Sequence, residues 1–176
     1  MSVSHVLFVT TSASAVKPIA IKSPMFDNMG MIPKKYTADG ANINPPLLFN
    51  NIPDGTQSMV LMVEDPNAPV DTWVHWLVWD IFPTGKINEN SVPGTEGLNA
   101  FEQHRYHGPC PPADLRYYQF KIYALNTVLR MHCHCGKYEI MKAMKDHVIG
   151  YGELTGTYTR HAAIVSQGYA IPDTYA

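Results

Sequence analysis

Charge is scarce in this chain. Only 16% of its 176 residues are Asp, Glu, Lys or Arg, against about 25% in an average soluble domain. The 13 basic and 15 acidic residues nearly cancel, leaving a formal net charge of −2. The sequence therefore lacks the electropositive footprint that a nucleic-acid backbone demands, and DNA or RNA is not an expected partner. Cysteine is scarce as well: Cys110, Cys133 and Cys135 are odd in number and too few for a disulfide scaffold. That usage favours a reducing compartment and makes the cytoplasm the expected location. No apolar run approaches the roughly 18 residues of a membrane-spanning helix. There is no repeat at a period of about 20–50 residues, no charge run and no Ser-rich linker. The length leaves no room for paired catalytic and cofactor-binding domains, and no cofactor or metal is expected. At the N terminus the apolar patch Val6 to Val9 and the Ala13-Ser14-Ala15 triplet lack a basic n-region and fall short of the usual h-region of about 7–15 residues. Residues 1–16 read as a loosely packed tail, and residues 17–176 as one domain.

What the chain has in excess is punctuation, with 14 prolines and 12 glycines. Between these breakers lie short apolar or alternating segments, the signature of an all-β sandwich or barrel: Pro18 to Lys22, Pro46 to Asn50, Ser58 to Glu64, Val74 to Phe82, Tyr117 to Leu125 and Glu153 to Arg160. Met59, Leu61 and Val63 alternate with Val60, Met62 and Glu64, nearly apolar on both faces, and the residues from Trp73 to Trp79 do likewise. Such strands belong at the centre of a sheet covered on both sides. A helix is predicted where Tyr138, Met141, Ala143, Met144 and Val148 recur, with Gly136 before it and Gly150 at the C′ position. A chain of this size buries about 70% of its unfolded surface, enough for one core.

Two segments are more specific than a fold requires. Asp65-Pro66-Asn67-Ala68-Pro69 leads into Trp73-Val74-His75-Trp76, and Gly108-Pro109-Cys110-Pro111-Pro112 leads into Arg116-Tyr117. The prolines after Asp65 stiffen a turn that leaves a buried strand. If that turn is a hairpin centred near Val70, Asp65 lies opposite His75. A carboxylate there raises the imidazole pKa and makes its outward N–H a strong donor, which suits an anion. A buried, mutually satisfied pair is the alternative, and the two residues alone do not decide between them. In the proline-rich loop only Gly108 and Cys110 offer backbone N–H donors, and Gly108 permits close ligand approach. Alternation sets Leu115, Tyr117 and Gln119 on one face and Arg116 on the other, so Tyr117 is the residue that points at the pocket, unless it is simply packed.

With these elements in order, the chain from about Ile21 to Arg160 resembles the phosphatidylethanolamine-binding protein family, in its bacterial and archaeal Raf-kinase-inhibitor-like (YbhB/YbcL-type) branch. The resemblance is carried by Ile32-Pro33-Lys34-Lys35-Tyr36, Asn44-Pro45-Pro46-Leu47, the Asp65 to Pro69 loop, Trp73 to Trp76, Gly97-Leu98-Asn99, Gly108 to Pro112, Arg116-Tyr117 and Gly156 to Arg160. It implies a mainly β fold, a large antiparallel sheet packed with a smaller one plus one or two short helices. It also implies a small cavity for phosphate-like anions or phospholipid headgroups, lined by Asp65, Trp73, His75, Gly108, Cys110 and Tyr117. The expected function is non-enzymatic ligand binding, with a regulatory role through a kinase or serine protease as the alternative. Two departures bear on the ligand. Asn67 stands where the family usually has Asp, and Leu115 where it usually has a pocket histidine, a loss for which His107 is a candidate replacement.

Three further features compete for a role. His132-Cys133-His134-Cys135 looks like a metal tract, either Cys133 with Cys135 or His132 with His134, with His104 and His107 as distant partners; a variable surface loop is the simpler reading. Cys110 with His75 as base and Asp65 as orienter has the residue types of a hydrolase, but the prolines leave few donors for an oxyanion hole. The apolar stretch from His161 to Ala176 is expected to pack rather than dangle, and a homodimer is an open expectation.

Overall fold

The alternating segments pair into two sheets in the computed structural model of the chain, which describes residues 15–69, 71–112 and 114–160. Strands β1 (Lys17–Pro18), β4 (Ser58–Asp65), β5 (Trp73–Ile81), β7 (Thr95–Glu96), β8 (Arg116–Leu125) and β9 (Val148–Tyr158) form a six-stranded sheet in the order β1-β9-β8-β4-β5-β7. A second sheet joins β2 (Ala20–Lys22), β3 (Leu47–Asn50) and β6 (Lys86–Ile87) in the order β2-β3-β6. Between these strands all pairings are antiparallel except the edge pair β1 and β9. The expectation for Pro18 to Lys22 is corrected in one respect: its first residues pair with β9 and its last with β3, so the strand is divided between the sheets at Ile19. The expected packing of residues 161–176, and nearly all of the N-terminal tail, lie outside the described residues.

Alternation on β4 sorts its side chains cleanly. Met59, Leu61 and Val63 join Ile21, Leu47, Phe49 and Ile87 of the small sheet in the main core. Val60 and Met62 face the other way, onto Ile140 and Met144 of helix α1 (Lys137–Met144). Both faces are thus covered, and each fully buried Leu, Val or Met contributes about 1.5–3 kcal/mol. The helix starts as expected at Gly136, whose N–H donates to Glu139 Oε2 (3.0 Å). It buries Ile140 and Met144, one turn apart; Met144 is buried as expected, whereas Tyr138 and Met141 are 74% and 40% exposed and Ile140 takes their place. Nor is Gly150 a helix cap: it lies in β9, where a Cβ would sit 2.7 Å from Pro53 Cγ.

Two β-bulges shape the β4–β5 pair. Glu64 pairs with Val74 and Val63 with Trp76, so His75 is the extra residue. The bulge turns its side chain away from the face set by Leu77 and Trp79 and towards the main core. Asp80 occupies the second, at φ 54°, and its carboxylate accepts the Leu129 and Arg130 amides (2.8 and 2.9 Å). On the helix side, Glu64 is 1% exposed and ion-paired with both Lys121 (2.7 Å) and Lys137 (2.6 Å).

Candidate functional site

At the open end of the main core, where β4 stops and β8 begins, two loops and the strands beside them enclose a cavity of about 370 Å³. Asp65, Ala68, Pro69 and Trp73 come from the β4–β5 turn, Cys110, Pro111 and Pro112 from the proline-rich loop, Arg116 and Tyr118 from β8, and His75 and Arg160 complete the lining. Of the six residues expected in the site, the structure brings together Asp65, Trp73, His75 and Cys110.

Asp65 is held as the proline turn suggests. The Asn67 amide donates to its Oδ1 (2.8 Å), and Arg116 Nη1 stands 3.5 Å from its Oδ2 while also donating to the Asn67 carbonyl. The Asn67 main chain is therefore a structural partner, whatever the charge lost at its side chain. Asp65 does not lie opposite His75: its register partner is Trp73, and even without the bulge the Val63–Trp76 register would set it against Val74.

His75 is 1% exposed. Its Nδ1–H donates to the His107 carbonyl (2.9 Å), and the His107 amide donates back to the His75 carbonyl (3.0 Å). A carbonyl only accepts, so this contact places the proton on Nδ1 and leaves Nε2 as an acceptor in the neutral ring. Burial lowers the His75 pKa, and the raising effects of the His107 carbonyl and of Asp65 do not overcome it. The expected elevation by Asp65 is thus reversed by desolvation. Tyr118 and Phe101 stand edge-on to the imidazole, at 5.2 and 5.5 Å between ring centroids.

Tyr118, not Tyr117, faces the cavity. Tyr117 pairs with Thr157 on the opposite face and is 36% exposed, while Tyr118 is 1% exposed. The signal was present: Phe120, Ile122 and Ala124 are buried on one face, and counting back by two from them reaches Tyr118 and Arg116. Leu115 precedes the strand and is 50% exposed, so it leaves no gap in the wall; Arg116 stands there. Burial pushes the Tyr118 phenol well above its ordinary pKa, with the nearby Asp65 charge adding to it, so the hydroxyl stays a proton donor.

Gly108 does not line the cavity. Its amide donates to Asn42 Oδ1 (2.7 Å), and a Cβ would meet the Tyr36 carbonyl at 2.4 Å. The glycine serves close packing of two main chains rather than approach of a ligand. Nor does His107 replace a pocket histidine: its ring stacks on Phe101 (3.7 Å) and its Nδ1–H donates to the Gly108 carbonyl (3.0 Å). Burial raises the Cys110 thiol pKa, keeping it protonated.

Sequence reasoning missed Arg160. Its guanidinium forks onto Asp39 (Nη2 to Oδ1, 2.7 Å), which also accepts the Tyr158 hydroxyl (3.0 Å). This side chain forms the wall between the cavity and a neighbouring depression of about 560 Å³ running past Met31, Pro33 and Lys34. Only the fold reveals that role, since Asp39 and Arg160 are far apart in the chain.

A match to the phosphatidylethanolamine-binding protein family model spans residues 22–159. The chain belongs to the phosphatidylethanolamine-binding protein family. A family relative, a UPF0098 protein of Pyrococcus horikoshii, is 41% identical over 149 residues, covering 78% of this chain and 75% of its own. Among solved structures, the family homologue CT736 from Chlamydia trachomatis is 35% identical with a TM-score of 0.79, covering 82% of this chain and 99% of its own. YbcL of E. coli, a member of the mammalian phosphatidylethanolamine-binding protein (PEBP) family, shares the fold at 24% identity and a TM-score of 0.75, covering 81% of this chain and 99% of its own. The two-sheet β architecture is therefore that of the phosphatidylethanolamine-binding protein family. No helix among the described residues is long and apolar enough to cross a membrane.

Proposed function

We propose that the cavity binds a small oxyanion, a phosphate group or a phosphate-bearing lipid headgroup, and releases it unchanged. The observation that carries the reading is the placement of His75: its Nδ1–H is committed to the His107 carbonyl, and the residue lines a cavity together with Arg116 and Tyr118. Arg116 uses Nη1 on Asp65 and Asn67; a guanidinium carries five N–H donors in all, so others can serve oxygen atoms of a ligand. A phosphate monoester carrying one proton fits neutral His75, donating to Nε2 while its other oxygens accept. A fully ionised oxyanion binds only with uptake of a proton by the ring.

Binding without turnover is supported by what surrounds the reactive groups. The Cys110 thiol is held protonated by burial, and a thiol, unlike a thiolate, is a poor nucleophile. The proton on His75 Nδ1 is oriented by a carbonyl rather than by a carboxylate, unlike the oriented base of a catalytic triad.

Calorimetric titration with inorganic phosphate and with phosphoethanolamine tests the reading. Charge-assisted hydrogen bonds contribute about 1.5–3 kcal/mol each, so Arg116→Gln should weaken binding by roughly 10- to 150-fold. His75→Ala should abolish it with the circular-dichroism spectrum unchanged. Wild-type affinity in either variant sinks the proposal.

A further inference from the structure

We propose that His132, Cys133, His134 and His104, none of which lines the anion cavity, form a binding site for a transition-metal ion of the zinc class. Residues 132–135 form a tight turn before α1, closed by the Cys135 amide donating to the His132 carbonyl (3.1 Å). In an extended strand His132 and His134 would face away from Cys133; the turn instead brings one ligand atom from each of the three to within 4.8 Å of one another. A tetrahedral ion with bonds of about 2.0–2.1 Å to nitrogen and 2.3 Å to sulfur sets three nitrogens and one sulfur about 3.3–3.6 Å apart. The remaining contraction, about 1 Å, can be taken up by the His132 and His134 imidazoles, which are exposed.

The fourth ligand comes from another part of the chain. The His104 ring lies 5.3 Å from that of His134, and its Nδ1 is 3.3 Å from the Glu96 carbonyl. Since the carbonyl can only accept, Nδ1 carries the proton and Nε2 is left as the ligand. This outer hydrogen bond is the one that metal-bound histidines usually make. The two segments are already joined, because the Leu98 amide donates to the Cys135 carbonyl (3.2 Å). Cys135 itself packs against the core beneath α1 and is not a ligand. Three imidazoles and one thiolate suit zinc, cobalt or copper and are a poor set for magnesium or calcium.

The test is titration of the reduced full chain with cobalt(II), followed by zinc. The expected result is one cobalt per chain, with the d–d bands of a tetrahedral site and a thiolate-to-cobalt charge-transfer band, both removed by equimolar zinc. Cys133→Ser should abolish the charge-transfer band, whereas Cys135→Ser and Cys110→Ser should retain it. His104→Ala should weaken cobalt binding at least about 10- to 100-fold, the loss typical even of an outer-shell partner. Absence of tetrahedral bands at stoichiometric cobalt overturns the proposal, as does a charge-transfer band that survives Cys133→Ser or an affinity unaltered in His104→Ala. Thermal unfolding of the apo variants checks that they fold, and a zinc-induced rise in Tm should be present in the wild type and absent from Cys133→Ser.

Discussion

Replacing Gly108 by alanine separates two roles that a glycine beside a pocket can have. The added Cβ would stand 2.4 Å from the Tyr36 carbonyl oxygen, 2.7 Å from Thr37 Cα and 2.9 Å from the Thr37 carbonyl carbon. All three are main-chain atoms, so no rotamer change relieves the clash, and the chains must part by about 1 Å to restore contacts near 3.5 Å. That movement strains the buried Tyr106 hydroxyl bond to the Tyr36 carbonyl (2.8 Å) and the Ala38 amide bond to the Pro109 carbonyl (3.0 Å). Overpacking costs about 1–3 kcal/mol, and one weakened hydrogen bond adds about 1 kcal/mol, for a loss of about 2–4 kcal/mol. At about 2–4 °C per kcal/mol for a domain of this size, Tm should fall by about 4–16 °C. Urea unfolding should show a lower midpoint with an unchanged slope. A wild-type midpoint together with lost phosphate binding would refute the reasoning and return Gly108 to the ligand's side.

Sulfate stays doubly ionised between about pH 5 and 8, so its affinity should rise as pH falls through the His75 titration, which burial sets below the ordinary value of 6.5; calorimetry in buffers of different ionisation enthalpy should reveal proton uptake, and a flat profile contradicts the assignment. Stability follows the opposite sense: the neutral ring contributes fully above pH 6.5, and the contribution is lost as pH falls towards the lower folded pKa. Tyr118→Phe should weaken phosphate binding by about tenfold or more, while Tyr117→Phe, on the other face, should stay within about twofold; equal effects would contradict the strand register. Glu64→Gln removes the partner of Lys121 and Lys137, and since both lysines reach solvent the expected loss is about 1–3 kcal/mol, read by thermal unfolding. Burial opposes ionisation of Glu64 but the two lysines outweigh it and hold its pKa below 4.5, so its stabilisation is complete above pH 4.5 and declines as pH falls through the folded value; a Gln variant with an unaltered acid limb would contradict this.

Much of the fold was legible because the longer strands carry their own pattern. Met59 to Val63 alternate between two cores, and the apolar character of both sets places β4 at the centre of its sheet. The two-residue strands β6 and β7 have no pattern of their own; each exists because a longer neighbour offers it a ladder. The site was legible in kind and misread in register. His75 reaches the cavity through a bulge, and a reading at strict period two puts it on the wrong face. At Arg116-Tyr117-Tyr118 three large polar side chains in a row hide the alternation that Phe120, Ile122 and Ala124 make plain further along. The direction of the His75 shift depends on desolvation, which no spacing encodes. Arg160 and the meeting of His104 with His134 depend on tertiary approach alone.

The division of one short segment at Ile19 has a mechanical consequence. Lys17 and Pro18 are laced to β9 while Ala20 to Lys22 are laced to β3, and Ile19 donates its amide to the Tyr151 carbonyl (2.7 Å) while burying its side chain in the main core. A single rigid thread thus stitches both sheets, and sliding one past the other must tear backbone bonds on one side of the stitch. Peptide-bond hydrogens of β9 opposite this segment should exchange with solvent no faster than those at the middle of β4, so that the lacing behaves as a clasp holding the two sheets together along one edge of the core.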